Sequence, residues 1–453
     1  MPQRNFINLN VNPCNMCMPM GASGVFRGIE KCMIVMHGSQ GCSTYIRRHM
    51  ATHYNEPIDI ASSSLNEKGT VMGGSANLKQ ALRNVLKVYK PKVIGISATC
   101  LAETIGENIE QTVKEFLVEE KISAVDCIVV STPGYGGSQY TGHYLTAKKV
   151  IEHFVLKSGQ SKRINIIVGS MSPGDIRHIK EILDEFKLKY IVFPDISETL
   201  DGGYRAEYAR IPLGGTKISD LKEMGKAGAT LEIGKFPDEE ISPGQYLKSM
   251  FGVPLYRLPL PIGLKNTDLL IKALSEVTCR GIPRKVESDR ERYLDAMIDS
   301  HKYNSQAKIA VFGDPELVYA VTTLCLENGM SPCMAASGPA NKRITPEIEK
   351  LSREYKKNLV VLEDTDYQKI AEVVRTANAN LLVGPSDGAF MTEKYGIPLV
   401  RVGFPVHDRI GMQRKVYVGY VGSMNLMDEI TNTLLASKQA NYRESMIRKY
   451  YSC

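Results

Sequence analysis

Ten cysteines in a chain of 453 residues are the side chains with the most chemistry to offer. Five of them, Cys14, Cys17, Cys32, Cys42 and Cys100, fall within the first hundred residues. Three sit where a thiol can be put to use. Cys17 lies in Asn12-Pro13-Cys14-Asn15-Met16-Cys17-Met18-Pro19-Met20-Gly21, where the prolines and the glycine oppose a regular helix and predict an exposed loop. Cys42 follows Gly38-Ser39-Gln40-Gly41 and precedes a helical stretch from Thr44 through Tyr54. Cys100 comes directly after the strand-like run Lys92–Ala98 and before a helix, which predicts a position at a strand's carboxyl end beside a helix amino terminus. Such a terminus favours the thiolate, the form that ligates metal. Glycines let backbone N–H groups approach a sulfide-rich anion, and soft thiolates select iron–sulfur clusters over hard cations. Single cysteines on three separate loops suggest a site completed by a second chain. Three reduced structural cysteines is the other reading that spacing alone leaves open.

The remaining cysteines divide further. Cys14 forms C-x-x-C with Cys17 and is a fourth candidate metal ligand, or a plain loop cysteine. Cys32 opens an apolar run and is expected in the core. Cys127, Cys279, Cys325 and Cys333 read as small buried hydrophobes, and Cys453 as a mobile terminus. In a chain this large the even total does not imply a disulfide framework. His37 is either a hydrogen-bond donor near the Cys42 loop or a turn histidine. Glu103 is expected to cap its helix or to meet a partner, and Arg47, Arg48 and His49 to form a solvated or partner-facing helix face. Met16, Met18, Met20, Met33 and Met36 read as adaptable packing around a buried site.

The elements that must position these thiols follow from the repeated order of apolar run, turn and helical stretch. Strand-like runs are Lys92–Ala98, Asp126–Ser131, Ile164–Gly169, Tyr190–Phe193, Lys308–Gly313, Asn358–Leu362, Leu381–Gly384 and Leu399–Val402. Helical spacing lies between them, at Gly142–Phe154, Asp175–Phe186, Val286–His301 and Leu317–Leu326. The alternation predicts an α/β protein with parallel sheets covered on both faces. With about 150 residues per domain, three Rossmann-like doubly wound units are expected over 1–158, 159–304 and 305–453. Ligands of such sheets sit at strand carboxyl ends, which makes the loops after Ala98, Ser131, Gly169, Gly313 and Gly384 the expected functional rim.

Composition excludes other classes. The apolar fraction of 43% and charged fraction of 23% are ordinary for a globular protein and rule out wholesale disorder. A net charge of +7 without any basic block argues against nucleic-acid binding. No apolar run reaches the roughly 20 residues that span a bilayer, and Met1–Asn10 lacks a signal-peptide layout, so a cytoplasmic address is expected. G-x-x-x-x-G-K-[ST], G-x-G-x-x-G, H-E-x-x-H and G-x-S-x-G are all missing, which argues against ATP hydrolysis, dinucleotide binding and zinc or serine hydrolysis by this chain.

The cysteine loops resemble those of nitrogenase component 1 β-type subunits, from Cys17-Met18-Pro19-Met20-Gly21-Ala22 to His37-Gly38-Ser39-Gln40-Gly41-Cys42. The likeness continues through Glu56-Pro57, Ser62-Ser63-Ser64, Gly73-Gly74 and Thr99-Cys100-Leu101-Ala102-Glu103-Thr104-Ile105-Gly106-Glu107. It runs on through Thr132-Pro133, Ser138, Gly142, Pro261-Ile262-Gly263, Gly313-Asp314-Pro315, Gly403-Phe404-Pro405, Asp408-Arg409 and Gly419-Tyr420. The resemblance implies three Rossmann-like domains and an α2β2 heterotetramer with a homologous α-type subunit. It further implies an iron–sulfur cluster, [4Fe–4S] or P-cluster-like [8Fe–7S], shared across the subunit interface through Cys17, Cys42 and Cys100. The iron–molybdenum cofactor or its precursor would be held mainly by the partner, and an ATP-dependent reductase (the Fe protein) would dock on the pair.

The family divides into catalytic β subunits of dinitrogen reductase and N-type (NifN-like) subunits of the scaffold on which the iron–molybdenum cofactor matures. Gly134 stands where catalytic chains commonly carry serine after Thr-Pro. Only 16 residues precede Cys17, fewer than the long arm of many catalytic chains, and the wording around Cys14–Cys17 and Cys42–Arg48 resembles scaffold chains of anaerobes. Retention of all three cysteines points the other way. The sequence leans to the scaffold, with the catalytic subunit and a cluster-free α/β binding protein as alternatives.

Overall fold

The structure is a computed structural model that describes residues 14–156 and 159–451. Cys453 and the expected division at 158 lie outside the described residues. Among the described residues, thirteen strands form three wholly parallel sheets. The first contains β1 (Cys32–His37), β2 (Ala61–Ser62), β3 (Val93–Ala98) and β4 (Asp126–Ser131), in the order β2-β1-β3-β4. The second contains β5 (Ile164–Val168), β6 (Tyr190–Phe193), β7 (Ala229–Ile233) and β8 (Leu255–Leu258), in the order β6-β5-β7-β8. The third contains β9 (Lys308–Gly313), β10 (Ser331–Ser337), β11 (Val360–Leu362), β12 (Leu381–Gly384) and β13 (Leu399–Arg401), in the order β11-β10-β9-β12-β13. Every residue of β1, β3, β5 and β7 is buried, as parallel strands covered by helices on both faces require.

The α/β class and the three parallel sheets are as the residue pattern predicts. Two local readings are corrected. The prolines near Cys17 do not prevent a helix: Met18–Arg27 is helical, with Pro19 in its first turn, where a missing N–H costs nothing. Gly21 is there for contact, since a β-carbon would come within 1.9 Å of the Gln139 carbonyl oxygen on the helix Gln139–Phe154. Gly142 on that helix meets the Met18 carbonyl in the same way, so the two helices pack backbone to backbone.

Among the scattered cysteines, Cys32 and Cys325 are buried as expected, and Cys127 and Cys333 are half-buried. Cys279 is exposed, because it caps the helix Leu264–Thr278 in a left-handed conformation that turns it outward. The helix Gly419–Tyr451 folds back from the third unit onto the helix Arg284–Asn304, where the Thr431 hydroxyl donates to Asn304 Oδ1 at 2.7 Å. One continuous apolar core runs from Met36 and Ile46 through Ile166 and Leu231 to Val311 and Val383, joining all three sheets. No helix among the described residues is long and apolar enough to cross a membrane.

Candidate functional site

The carboxyl edge of the first sheet gathers the amino-terminal thiols. β1 ends at His37, and Gly38-Ser39 leads into the helix Gln40–Tyr54, which carries Cys42 in its first turn. β3 ends at Ala98, Thr99 is the cap, and Cys100 opens the helix Cys100–Thr104. Cys17 is itself the cap of Met18–Arg27 and forms a bridge to Ser138, just before the helix Gln139–Phe154. β1, β3 and β4 are neighbours in register, with His37 beside Ala98 and Ala98 beside Ser131, so their loops leave the sheet at one level. Each of the three thiols therefore lies at the start of a helix, where unpaired N–H groups point.

Gly134, after β4, closes on the same point. Its N–H donates to Cys100 Sγ at 3.0 Å. A β-carbon at Gly134 would stand 3.3 Å from Cys100 Sγ and 3.5 Å from Cys17 Cβ. Ser39 Oγ donates to Cys42 Sγ at 3.7 Å. Burial pushes the Cys17 thiol up to about 11, the Met20 amide opposes this, and the nearby Cys42 and Cys100 add to the rise. For Cys17, then, desolvation outweighs the helix terminus, against the expectation that position alone would favour the thiolate. Cys17 and Cys42 are half-buried and Cys100 is exposed.

Among the described residues no group of three or more His, Cys, Asp or Glu side chains is gathered closely enough to hold a single metal ion. A multi-iron cluster sets a different requirement, since each thiolate binds its own iron and the sulfurs must surround a volume. Three thiols spread over adjacent loops, with a donor N–H and a glycine that leaves space between them, fit a group of that kind.

A buried network fixes these loops. His37 Nε2 and Glu107 Oε2 are 2.5 Å apart, and His37 Nδ1 lies 2.9 Å from Ser63 Oγ. Ser63 Oγ also accepts from the Gly38 N–H at 3.0 Å, and Glu107 accepts from the Gly74 N–H. The Thr99 hydroxyl donates to the His37 carbonyl at 3.1 Å. Five connections, at Gly38, Ser63, Gly74, Thr99 and Glu107, are thus tied together around His37. Burial holds the His37 imidazole below its ordinary value, although Glu107 pulls the other way. His37 had been singled out in the sequence. Ser63 and Glu107 had not, and their only signal was membership of the quoted Ser-Ser-Ser and Gly106-Glu107 segments.

Cys14 does not join the other three. It is 5% exposed, packs in the core beneath the third sheet with Phe312, Met334 and Tyr367, and burial pushes its thiol up to about 12. The Cys14 N–H is anchored on the Thr365 carbonyl, while Cys17 starts the helix Met18–Arg27. The two cysteines of the C-x-x-C thus pack against different clusters, Cys14 with Phe312 and Met334 and Cys17 with Met16 and Met20. Glu103 makes no side-chain cap; Thr99 occupies the cap position. Met16, Met18, Met20, Met33 and Met36 are all buried packing residues, and Arg47 and Arg48 are exposed.

Residues 17–435 match the family described as nitrogenase component 1 type oxidoreductase. The nitrogenase molybdenum-iron protein β chain of Clostridium pasteurianum is 34% identical over 94% of this chain and 93% of its own length. The iron-iron protein β chain of Rhodobacter capsulatus and the vanadium-iron protein β chain of Trichormus variabilis are each 31% identical over 96% of both chains. A solved structure titled Nitrogenase Cp1 at pH 6.5 superposes with a TM-score of 0.92 at 33% identity, covering 95% of this chain and 94% of the other. The cysteine-bearing rim, the three parallel sheets and these similarities agree: the chain belongs to the nitrogenase component 1 family, on its β-type side.

Proposed function

We propose that this chain is the β-type half of a nitrogenase-like α2β2 heterotetramer and holds an iron–sulfur cluster through Cys17, Cys42 and Cys100 at the face shared with an α-type partner. The observation that carries the reading is the meeting of three thiols at three helix starts, with the Gly134 N–H aimed at Cys100 Sγ. Three thiolates are fewer than a closed four-cysteine site needs, which supports further ligands from the partner. When bound, such a cluster accepts and passes single electrons. The chain's own residues supply the sulfurs, a hydrogen bond to one of them, and an apolar bed of Met16 and Met20 that keeps water from one side. The iron–molybdenum cofactor or its precursor resides mainly on the partner. An ATP-dependent reductase delivers electrons, in keeping with the missing phosphate loop, and a cytoplasmic location follows from that chemistry.

Of the two destinations for such a subunit, the cofactor-assembly scaffold is favoured by Gly134. That residue touches the thiol site yet offers no side-chain oxygen. Near-equal identity to molybdenum, iron-only and vanadium β chains, 34%, 31% and 31%, favours none of the three metals. The catalytic electron-relay subunit is favoured by the presence of all three thiols and by the names of those relatives. Iron counting with electron paramagnetic resonance on the anaerobically purified heteromer tests both. A four-iron cluster at the interface supports the scaffold, and an eight-iron cluster with oxidised P-cluster signals supports the relay. A colourless, iron-free heteromer would defeat the proposal.

A further inference from the structure

A cavity of about 130 Å³ opens where the three sheets meet, away from the thiols. It is bordered by the helix Met18–Arg27 on one side and by the loops after β5 and β13 on others. Its size is near that of the roughly 150 Å³ engineered cavity known to take up benzene. Two histidines line it, each more than nine-tenths buried and each with one ring nitrogen unused. The Val406 N–H donates to His53 Nδ1 at 2.9 Å, so the proton of that neutral ring sits on Nε2, which has no partner among the described residues. His143 Nε2 lies 3.0 Å from the Val168 carbonyl, which can only accept, so His143 Nδ1 is a bare lone pair, also without a partner among the described residues. Burial holds both imidazoles down at about 4, so both are neutral at pH 7. One offers a donor and the other an acceptor.

The rest of the wall sets the class of ligand. Met20, Met50, Met171 and Met412 supply thioethers, and Phe404 supplies an aromatic face. Thioether sulfur favours aromatic neighbours and adapts to their shape. Asp175 and Asp314 also border the space, while no lysine or arginine does, which disfavours an anion. The Asp175 carboxylate is already engaged by the N–H groups of Tyr417 and Val418, at 2.7 and 3.2 Å. We propose that this junction is a binding site for a small, flat, neutral nitrogen heterocycle that accepts from His53 Nε2 and donates to His143 Nδ1. The proposal is independent of the cluster reading, because none of the three thiols borders this space and, of the wall residues named, only Met20 also packs beside them.

Benzimidazole, which carries one donor and one acceptor nitrogen, is the probe, titrated calorimetrically into the anaerobic heteromer alongside indene, a hydrocarbon of like shape. Sub-millimolar binding of benzimidazole is expected, with indene weaker by on the order of tenfold for the lost hydrogen bonds. Gly24 borders the cavity, and a β-carbon there meets nothing within 4 Å, so Gly24→Leu fills the space and abolishes binding. His143→Phe keeps the bulk and loses the lone pair, and is expected to weaken benzimidazole part of the way toward indene, since His53 Nε2 still donates. Iron content should stay at the wild-type value in both variants, which separates this site from the cluster. Absence of benzimidazole binding, binding undiminished by Gly24→Leu, or equal affinity for the two probes in the wild type would each overturn the assignment.

Discussion

Cys14 and Cys17 are three positions apart and meet opposite fates. Cys14 is sealed among aromatic and aliphatic side chains of the third unit. Cys17 stands at a helix start on the rim of the first, beside two further thiols and a glycine N–H. A cysteine's chemistry is thus set by the element it begins or ends, and hardly by its spacing from the next cysteine. The same contrast separates the two regions at large. The rim leaves its proton-bearing groups half-open toward a face that another chain can complete. The junction of the three units closes over Glu316, with the Tyr140 hydroxyl and the Phe236 N–H donating to Glu316 Oε1 at 2.9 and 2.8 Å.

This contrast can be broken by substitution. The largest effect should come from Cys42→Ala, which is expected to remove most of the bound iron and weaken subunit pairing. The isolated chain should meanwhile change stability by only about 0.5 kcal/mol, as befits a partly exposed residue. Full iron retention would refute the ligand role, and calorimetric unfolding checks the second half. The sealed thiols should behave in the opposite way. Cys325 is fully buried, so Cys325→Ser puts a polar hydroxyl into an apolar core and should cost about 1–3 kcal/mol, with iron unchanged.

The junction acids sharpen the contrast through pH. Burial raises Asp314 from 3.8 and Glu316 from 4.5, both to about 7. Between about pH 4.5 and 7 the folded chain therefore holds protons that the unfolded chain has released. Stability contributed by these groups is complete below the unfolded values and falls as pH rises toward 7. Glu316→Gln keeps an acceptor for Tyr140 and Phe236. It should flatten that decline, raising stability at pH 8 relative to pH 5 by on the order of 1–3 kcal/mol over wild type, measured by denaturant unfolding. An unchanged pH profile would show that Glu316 is not held protonated.

The smallest effect on the fold is expected from Gly134→Ser. Its β-carbon would meet Cys100 Sγ at 3.3 Å, so a shift of a few tenths of an ångström accommodates it, and melting should move by at most a degree or two. If the added oxygen reaches a bound cluster, the paramagnetic resonance of the oxidised heteromer changes while the iron count does not.

Much of this architecture is legible in the residues, and the exceptions have causes. Tyr190–Phe193, Lys308–Gly313 and Leu381–Gly384 read directly as strands and are strands at those bounds. Such strands, buried on both faces, are short apolar runs between turns. β7 and β8 are hidden by charge. Glu232 and Arg257 lie opposite each other in register and pair at 3.2 Å, so each interrupts an apolar run that the other makes tolerable. β10 is masked by Pro332 and small residues. Around the thiols, the helix-start position of Cys100 was legible from the strand-to-helix pattern and that of Cys42 from the glycines and the helical stretch beside it, although β1 before it was not read. The helix after Cys17 was not, because its proline belongs to a first turn. The Ser63–His37–Glu107 network was also beyond reach, since it links residues 26 and 70 positions apart.

The central claim is that three rim thiols, and no others on this chain, hold one iron–sulfur cluster. Its most direct test is the iron bound per heteromer after anaerobic purification, compared between wild type, the triple variant Cys17→Ala/Cys42→Ala/Cys100→Ala and the double variant Cys14→Ser/Cys333→Ser. The account predicts wild-type iron at the interface cluster in the double variant and loss of that cluster's iron in the triple variant. Unchanged iron in the triple variant, or loss of iron on replacing Cys14 and Cys333, would contradict it.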